Sequence, residues 1–270
     1  MTPRTRRRRD TGQRVPVALL VPAALGLLFL VLPLGGLLLR TPWTSLASRL
    51  AAPGVLTALR LSVQCATLAT LLCLALGVPL AWLLARVEFP GRRLVRALVT
   101  VPLVLPPVVG GVALLLVFGR RGPLGGWLDT TFGVTLPFTT TGVVLAEAFV
   151  AMPFLIIAVE GALRGADHRY EEAAATLGAG RWTTFTRVTL PLVAPGIAAG
   201  AVLCWARALG EFGATITFAG NYPGRTQTMP LAVYLALETD LEAAVVLSLM
   251  LLTVSVVILA GLRDRWITGP

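Results

Sequence analysis

The sequence predicts an all-α integral membrane protein with six transmembrane helices. Three observations carry this: 56% of the residues are hydrophobic and only 13% charged, the apolar residues fall in long runs, and arginines concentrate between the runs. A helix needs about 20 apolar residues to cross a hydrocarbon core of ~30 Å, so such runs read as spans and not as one face of a soluble bundle.

The runs lie at 16–39, 58–85, 94–118, 141–162, 192–219 and 243–262. They predict one six-helix domain over 16–262, with a basic tail over 1–15 and a short tail over 263–270. The first run follows Arg4, Arg6, Arg7, Arg8 and Arg9 and so imitates a secretion signal. It is too long for a cleaved apolar core and lacks a small-residue cleavage site before Arg40, which predicts a retained helix.

The third run contains Pro102, Pro106 and Pro107 followed by Gly110 and Gly111, residues that interrupt helical hydrogen bonding. In the fifth, Gly210 and Gly213 flank Glu211 and make the backbone easy to bend. Non-helical backbone at membrane depth survives only against protein or a water-filled cavity. These two runs are therefore the candidates for lining a translocation path, through Pro106, Pro107, Arg207, Gly210, Glu211, Gly213 and Thr215. Thr215 and Thr217 stand two apart on a helix, so at most one of them faces such a path.

Burying an ionisable group in a bilayer costs on the order of 3 kcal/mol, which singles out Glu147, Glu160, Arg207 and Glu211. Arg207 and Glu211, at i and i+4, share a helix face. They form either a polar patch beside the path or an internal ion pair that fixes packing. Gly196 and Gly200 make a GxxxG pattern suited to close helix approach. Cys65, Cys73 and Cys204 lie inside spans without paired spacing and read as packing residues.

Orientation follows from the arginines, since the chain has no lysine. The N-terminal tail, the 86–96 and 164–187 connections and Arg263 with Arg265 alternate with less basic connections, which places both termini in the cytoplasm. The net charge of +10 is then a matter of topology and anionic lipid. Nucleic acid is not an expected partner, because no basic stretch is interleaved with aromatics.

Enzyme classes find little support. A phosphate-binding Walker loop needs a lysine, so any ATP hydrolysis belongs to another polypeptide. Gly-x-Ser-x-Gly and His-Glu-x-x-His arrangements are missing, and the sole histidine, His168, reads as a solvated loop residue. No catalytic residue and no metal ligand are assigned.

The polar connection over 163–191 is the most informative stretch. Asp167 is suited to cap a helix over 168–177, and Gly178 suits the left-handed position that ends it. A second short helix over 181–188 follows, stopped by Pro191 before the next span. Ala173, Ala174 and Leu177 fall at helical spacing and can pack into a partner's groove while Arg169, Glu171 and Arg181 stay wet. Glu172, Ala173 and Ala174, then Gly178, then Val188, Leu190 and Pro191, stand at the offsets of the EAA loop of ABC importer permeases, which this stretch resembles. Val188 replaces the usual isoleucine, a loss of one methylene.

A second resemblance lies in 207–238. Gly213–Ile216 (GATI), Ala219–Asn221 (AGN) and Thr226–Tyr234 (TQTMPLAVY) resemble the molybdate permease family more closely than the sulfate permeases. Together the resemblances cover essentially the whole chain after the basic tail. They imply a type I importer permease that works as a homodimer, with the path at the interface of the two copies. They imply an ATPase dimer docked on the loop through Glu172, Ala173, Ala174, Gly178, Leu190 and Pro191, with ATP and magnesium on that partner and no cofactor here. An extracytoplasmic binding protein would deliver molybdate or tungstate. A sulfate or thiosulfate permease is the alternative, and a cation-coupled secondary transporter using Glu147, Glu160 and Glu211 is a further one.

Overall fold

The computed structural model describes residues 17–267; the basic tail over 1–15 lies outside them, as do the last three residues of the C-terminal tail. The chain divides into two units, 1–41 and 42–270. The first holds α1 (Val17–Leu39), an apolar helix without acidic or basic residues in its terminal turns. Pro22 and Pro33 lie inside it.

Among the described residues of the second unit all regular structure is helical. A short α2 (Leu46–Leu50) precedes α3 (Pro53–Arg86), and the next run is split into α4 (Arg92–Val104) and α5 (Pro107–Phe118). Then come α6 (Pro123–Phe132), α7 (Thr140–Gly165), α8 (Arg169–Thr176) and α9 (Arg181–Thr184). A π-turn over Phe185–Thr189 leads into α10 (Leu190–Leu209), followed by α11 (Gly213–Ala219), α12 (Met229–Thr239) and α13 (Leu241–Ile267). Among the described residues five helical segments are long and apolar enough to cross a membrane, and the α4–α5 pair makes a sixth span if counted as one.

The centre of the unit is α7, 26 residues or about 39 Å long. Its start is fixed by Thr139, whose hydroxyl accepts the N–H of Gly142 at 3.1 Å. The helices α3 and α10 pack along it, with Ala66, Ala69 and Cys73 of α3 and Cys204 and Ala208 of α10 fully buried against Ala151, Leu155 and Val159. Small side chains let backbones approach in the absence of a hydrophobic driving force within lipid. The Gly196 and Gly200 pair serves that purpose: a Cβ at Gly196 would lie 2.3 Å from that of Ala162, and one at Gly200 3.0 Å from that of Ala158. The three cysteines are free and buried.

Two runs are broken, at the prolines and glycines that predict interruption or bending. The third turns by 118° between α4 and α5. A residue before proline is pushed into the extended region, and Leu105 before Pro106 and Pro106 before Pro107 take ψ 134° and 132° in succession. The fifth ends at Leu209, and Gly210 to Phe212 form a non-helical joint before α11. The stretch 229–239, expected in an outer connection, is the apolar helix α12, started by Pro230 and packed with α13 and α3. The expected helix over 181–188 and its stop at Pro191 are likewise corrected. The helix runs unbroken from Arg181 to Leu209. The N–H of Leu190 bonds the carbonyl of Phe185, five residues back, so the ladder widens one residue before the proline that cannot donate.

Candidate functional site

Two regions combine the residues singled out from sequence. One is the joint between the interrupted runs. Here α5 and α11 meet with almost no side chain between them: a Cβ on Gly111 would lie 2.7 Å from Thr217 Cβ and 2.9 Å from the carbonyl oxygen of Ala214. A Cβ on Gly213 would lie 2.8 Å from Pro107 Cβ and 3.1 Å from the Val108 nitrogen. The double-proline break and the glycine break are thus neighbours, and each supplies protein contact for the other's irregular backbone.

Glu211 closes the second break. Its Oε2 lies 2.7 Å from Arg207 Nη2, and its Oε1 accepts the N–H of Ala214 at 2.7 Å. The carboxylate is 1% exposed and the arginine side chain 27% exposed. Arg207 and Glu211 therefore pair, across the end of α10. The ion-pair alternative left open by the sequence describes this geometry. Pro106, Pro107 and Gly210 are exposed, whereas Gly213 and Thr215 are buried, the latter with its Oγ1 unpartnered. Thr217 donates to the carbonyl of Gly213 at 2.8 Å, a local helix bond.

The other carboxylates differ among themselves. Glu160 sits at the end of α7 where Arg96 reaches it at 2.6 Å and Arg164 at 2.7 Å, so it is charge-compensated. Glu147 is 1% exposed, and its Oε2 has no hydrogen-bond partner. Among the described residues no group of three or more metal-ligating side chains is assembled.

The second region is the 163–191 connection, at the opposite end of α7 from Thr140. The helix α8 starts at Arg169 with His168 at its N-cap, so Asp167, expected as the cap, stands one position before it and accepts the N–H of Arg169 at 3.0 Å as a local turn bond. At the other end Gly178 takes φ +82°. The Ala179 N–H bonds the Ala174 carbonyl and the Gly178 N–H the Ala175 carbonyl, both at 3.0 Å, a Schellman closure. Glu172 and Ala173 are exposed and Ala174 half-buried, and Leu177 (88% exposed), Trp182 (76%) and Tyr170 (59%) stand out as apolar surface. Leu190 is half-buried and Pro191 exposed, where the chain enters α10.

Glu171 corrects the expectation that it stays wet. Its Oε1 receives Arg86 Nη2 at 3.1 Å and the hydroxyl of Thr189 at 2.8 Å. It joins the loop to the end of α3 and to the π-turn. His168, expected to be solvated, is exposed but also meets the Arg86 guanidinium, with Nδ1 at 3.1 Å. Arg169 and Arg181 are exposed as expected.

Comparison with known proteins connects these regions to a family. Residues 77–269 match the family described as the inner membrane component of binding-protein-dependent transport systems. The molybdenum transport system permease protein ModB of Mycobacterium tuberculosis is 48% identical over 245 residues, 91% of this chain and 92% of that one. ModB of Escherichia coli is 45% identical, covering 78% of this chain and 92% of its own. The sulfate transport system permease protein CysT of Escherichia coli is 36% identical, covering 87% and 86%. Among solved structures, a bacterial ABC transporter involved in importing the acidic polysaccharide alginate has the same fold, with TM-score 0.76 at 20% identity over 94% of this chain and 96% of that one. The chain that carries the broken spans, the buried joint and the exposed loop therefore belongs to the family of binding-protein-dependent transport system inner membrane components.

Proposed function

We propose that this chain is the membrane subunit of an ATP-driven importer of molybdate or tungstate. The observation that carries this reading is the 48% identity over 91% of the chain to a permease named for molybdenum, against 36% to one named for sulfate. Two copies enclose the path, a separate ATPase dimer binding ATP and magnesium docks on the 163–191 loop, and an extracytoplasmic binding protein delivers the oxyanion. Both termini and the loop face the cytoplasm, as the arginine distribution supports.

Energetics require such coupling. A dianion entering a cell with a negative interior climbs roughly 4.6 kcal/mol per 100 mV, twice the cost for one charge. An alternating-access cycle meets that cost by exposing the path to one side at a time, with each state favoured by a different state of the ATPase. The loop is built for transmission: Leu177 and Trp182 offer an apolar grip, and Glu171 couples α8 to α3 and to the π-turn that opens α10. Motion of the loop then moves α10 and, through Arg207 and Glu211, the joint at Gly213 and Pro107.

A cation-coupled transporter would need titrating carboxylates. Of the three candidates Glu160 and Glu211 are held by arginines, which supports the ATP-driven reading, and Glu147 alone is without such a partner. The test is ATPase activity of the reconstituted complex with binding protein loaded with molybdate, tungstate or sulfate. Stimulation by the first two and not by the third is expected. Stimulation by sulfate alone would transfer the chain to the sulfate class, and failure to assemble with any ATPase would overturn the reading.

A further inference from the structure

At the end of α7 opposite the 163–191 loop lies a cavity of about 580 Å³. Its walls include Leu116 of α5, Phe138 just before α7, Arg120 and Arg121 from the turn after α5, and Arg225 from the connection between α11 and α12. All three arginines are exposed, and none forms an ion pair among the described residues. Three guanidinium groups around one cavity repel each other unless an acidic partner arrives.

The backbone that carries them is rigid. A Cβ on Gly119 would lie 2.2 Å from the Leu115 oxygen, one on Gly122 2.5 Å from the Leu116 oxygen, and one on Gly125 2.1 Å from the Gly119 oxygen. The turn bearing Arg120 and Arg121 is therefore packed backbone on backbone. The Arg225 loop is held equally well. Tyr222 donates its N–H to Thr226 Oγ1 at 2.9 Å and accepts the N–H groups of Arg225, Thr226 and Gln227, while the Arg225 carbonyl accepts the Thr140 hydroxyl at 2.9 Å. Phe138 takes φ +60°, a left-handed conformation that a bulky residue adopts only when its surroundings impose it, and stacks edge to face on Tyr222 at 6.1 Å. Fixed backbone with free cationic heads is the arrangement of a preorganised docking surface.

We propose that this arginine-lined cavity receives an acidic loop of the extracytoplasmic binding protein, with carboxylates on Arg120, Arg121 and Arg225 and an apolar neighbour against Leu116 and Phe138. The proposal rests on the importer reading, which places this end of α7 outside the cell. A protein loop fits better than the free oxyanion. The cavity far exceeds one tetrahedral ion, and a protein segment can cover its apolar walls as well as meet its three arginines. Charges at such a rim act mainly on encounter rate and salt dependence.

The test uses the complex of this chain with its ATPase in nanodiscs of zwitterionic lipid, titrated with molybdate-loaded binding protein at low and high salt. The R120E/R121E/R225E variant is expected to dock at least about tenfold more weakly at low salt, the loss of about 1.4 kcal/mol or more. The R120Q/R121Q/R225Q variant falls between and loses the salt dependence of the wild type, whereas in the charge-reversed variant that dependence inverts. Unchanged melting and retained co-purification with the ATPase establish folding, and the glutamine variant carries the test if the glutamate variant does not fold. Equal docking by wild type and variants would overturn the proposal while the importer reading stands. Competition by free molybdate would reassign the arginines to the ion, and a difference seen only with anionic lipid would reassign them to headgroups. Absence of any binding-protein stimulation of the wild-type ATPase would remove the importer reading itself.

Discussion

Gly213 lies against Pro107 so closely that a Cβ on the glycine would sit 2.8 Å from the proline Cβ. Neither neighbour can yield cheaply, since one is a ring and the next contact, at 3.1 Å, is the backbone nitrogen of Val108. Gly213→Ala is expected to destabilise the protein by about 1–3 kcal/mol, the range for overpacking. Gly161→Ala is the control, because nothing lies within 4 Å of a Cβ there and alanine is the better helix former. Thermal melting in detergent should fall for the first and hold or rise for the second. Equal melting would mean that α5 and α11 are not packed as described.

The ion pair at the end of α10 gives the second prediction. Glu211 bonds both Arg207 and the Ala214 N–H, so Glu211→Ala removes a pair and a helix cap together. Breaking a buried pair costs about 3–5 kcal/mol, and the partial exposure of Arg207 lowers this to about 1–3 kcal/mol. Glu211→Gln keeps an acceptor for Ala214 and should lose less. A double-mutant cycle with Arg207→Gln should show coupling, and additive losses would deny the pair a structural role.

Much of this was legible in the sequence because its signals are local. Pro106 next to Pro107 forces two extended residues wherever it occurs, and the four-residue offset of Arg207 and Glu211 fixes their proximity. Glu171 reads as a wet residue in the sequence because Arg86, its partner, is 85 residues away and no periodicity connects them. Pro191 reads as a helix stop in the sequence because a π-turn has no composition of its own. The helix at 229–239 is too short for a span and begins among threonines, so in the sequence its apolar run reads as part of a connection. The arginine cavity left one trace: Arg120, Arg121 and Arg225 run against the distribution that set the orientation of the other loops.

Acid sensitivity is expected at the junction of α2 with α13. Asp240 is held below the usual carboxylate range first by its hydrogen bond with Arg49, at 2.6 Å, and then by the Ala243 N–H. A depressed carboxylate contributes stability above its unfolded pKa of about 3.9 and loses it as pH falls through the folded value. The contact should therefore persist at neutral pH and disappear only below about pH 4. Carbon NMR of the Asp240 carboxyl should give a midpoint below that of a free aspartate in the wild type. Arg49→Ala should bring it back toward the free value, and an unchanged midpoint would remove Arg49 as the cause.

Leu177 offers the sharpest test of the loop. It is 88% exposed, while the helix end it occupies is closed by backbone bonds from Gly178 and Ala179. Folding gains nothing from the side chain, so Leu177→Asp should leave melting unchanged. Burial of a leucine in a partner's groove is worth about 1.5–3 kcal/mol, so ATPase docking should weaken by about tenfold to a hundredfold. Gly178→Pro at φ +82°, a value proline cannot adopt, should abolish docking while membrane insertion survives. The two variants separate contact from shape. Loss in both assigns docking to this loop, loss in Gly178→Pro alone assigns it to the loop's backbone, and normal complex recovery in both places the ATPase elsewhere on the cytoplasmic face.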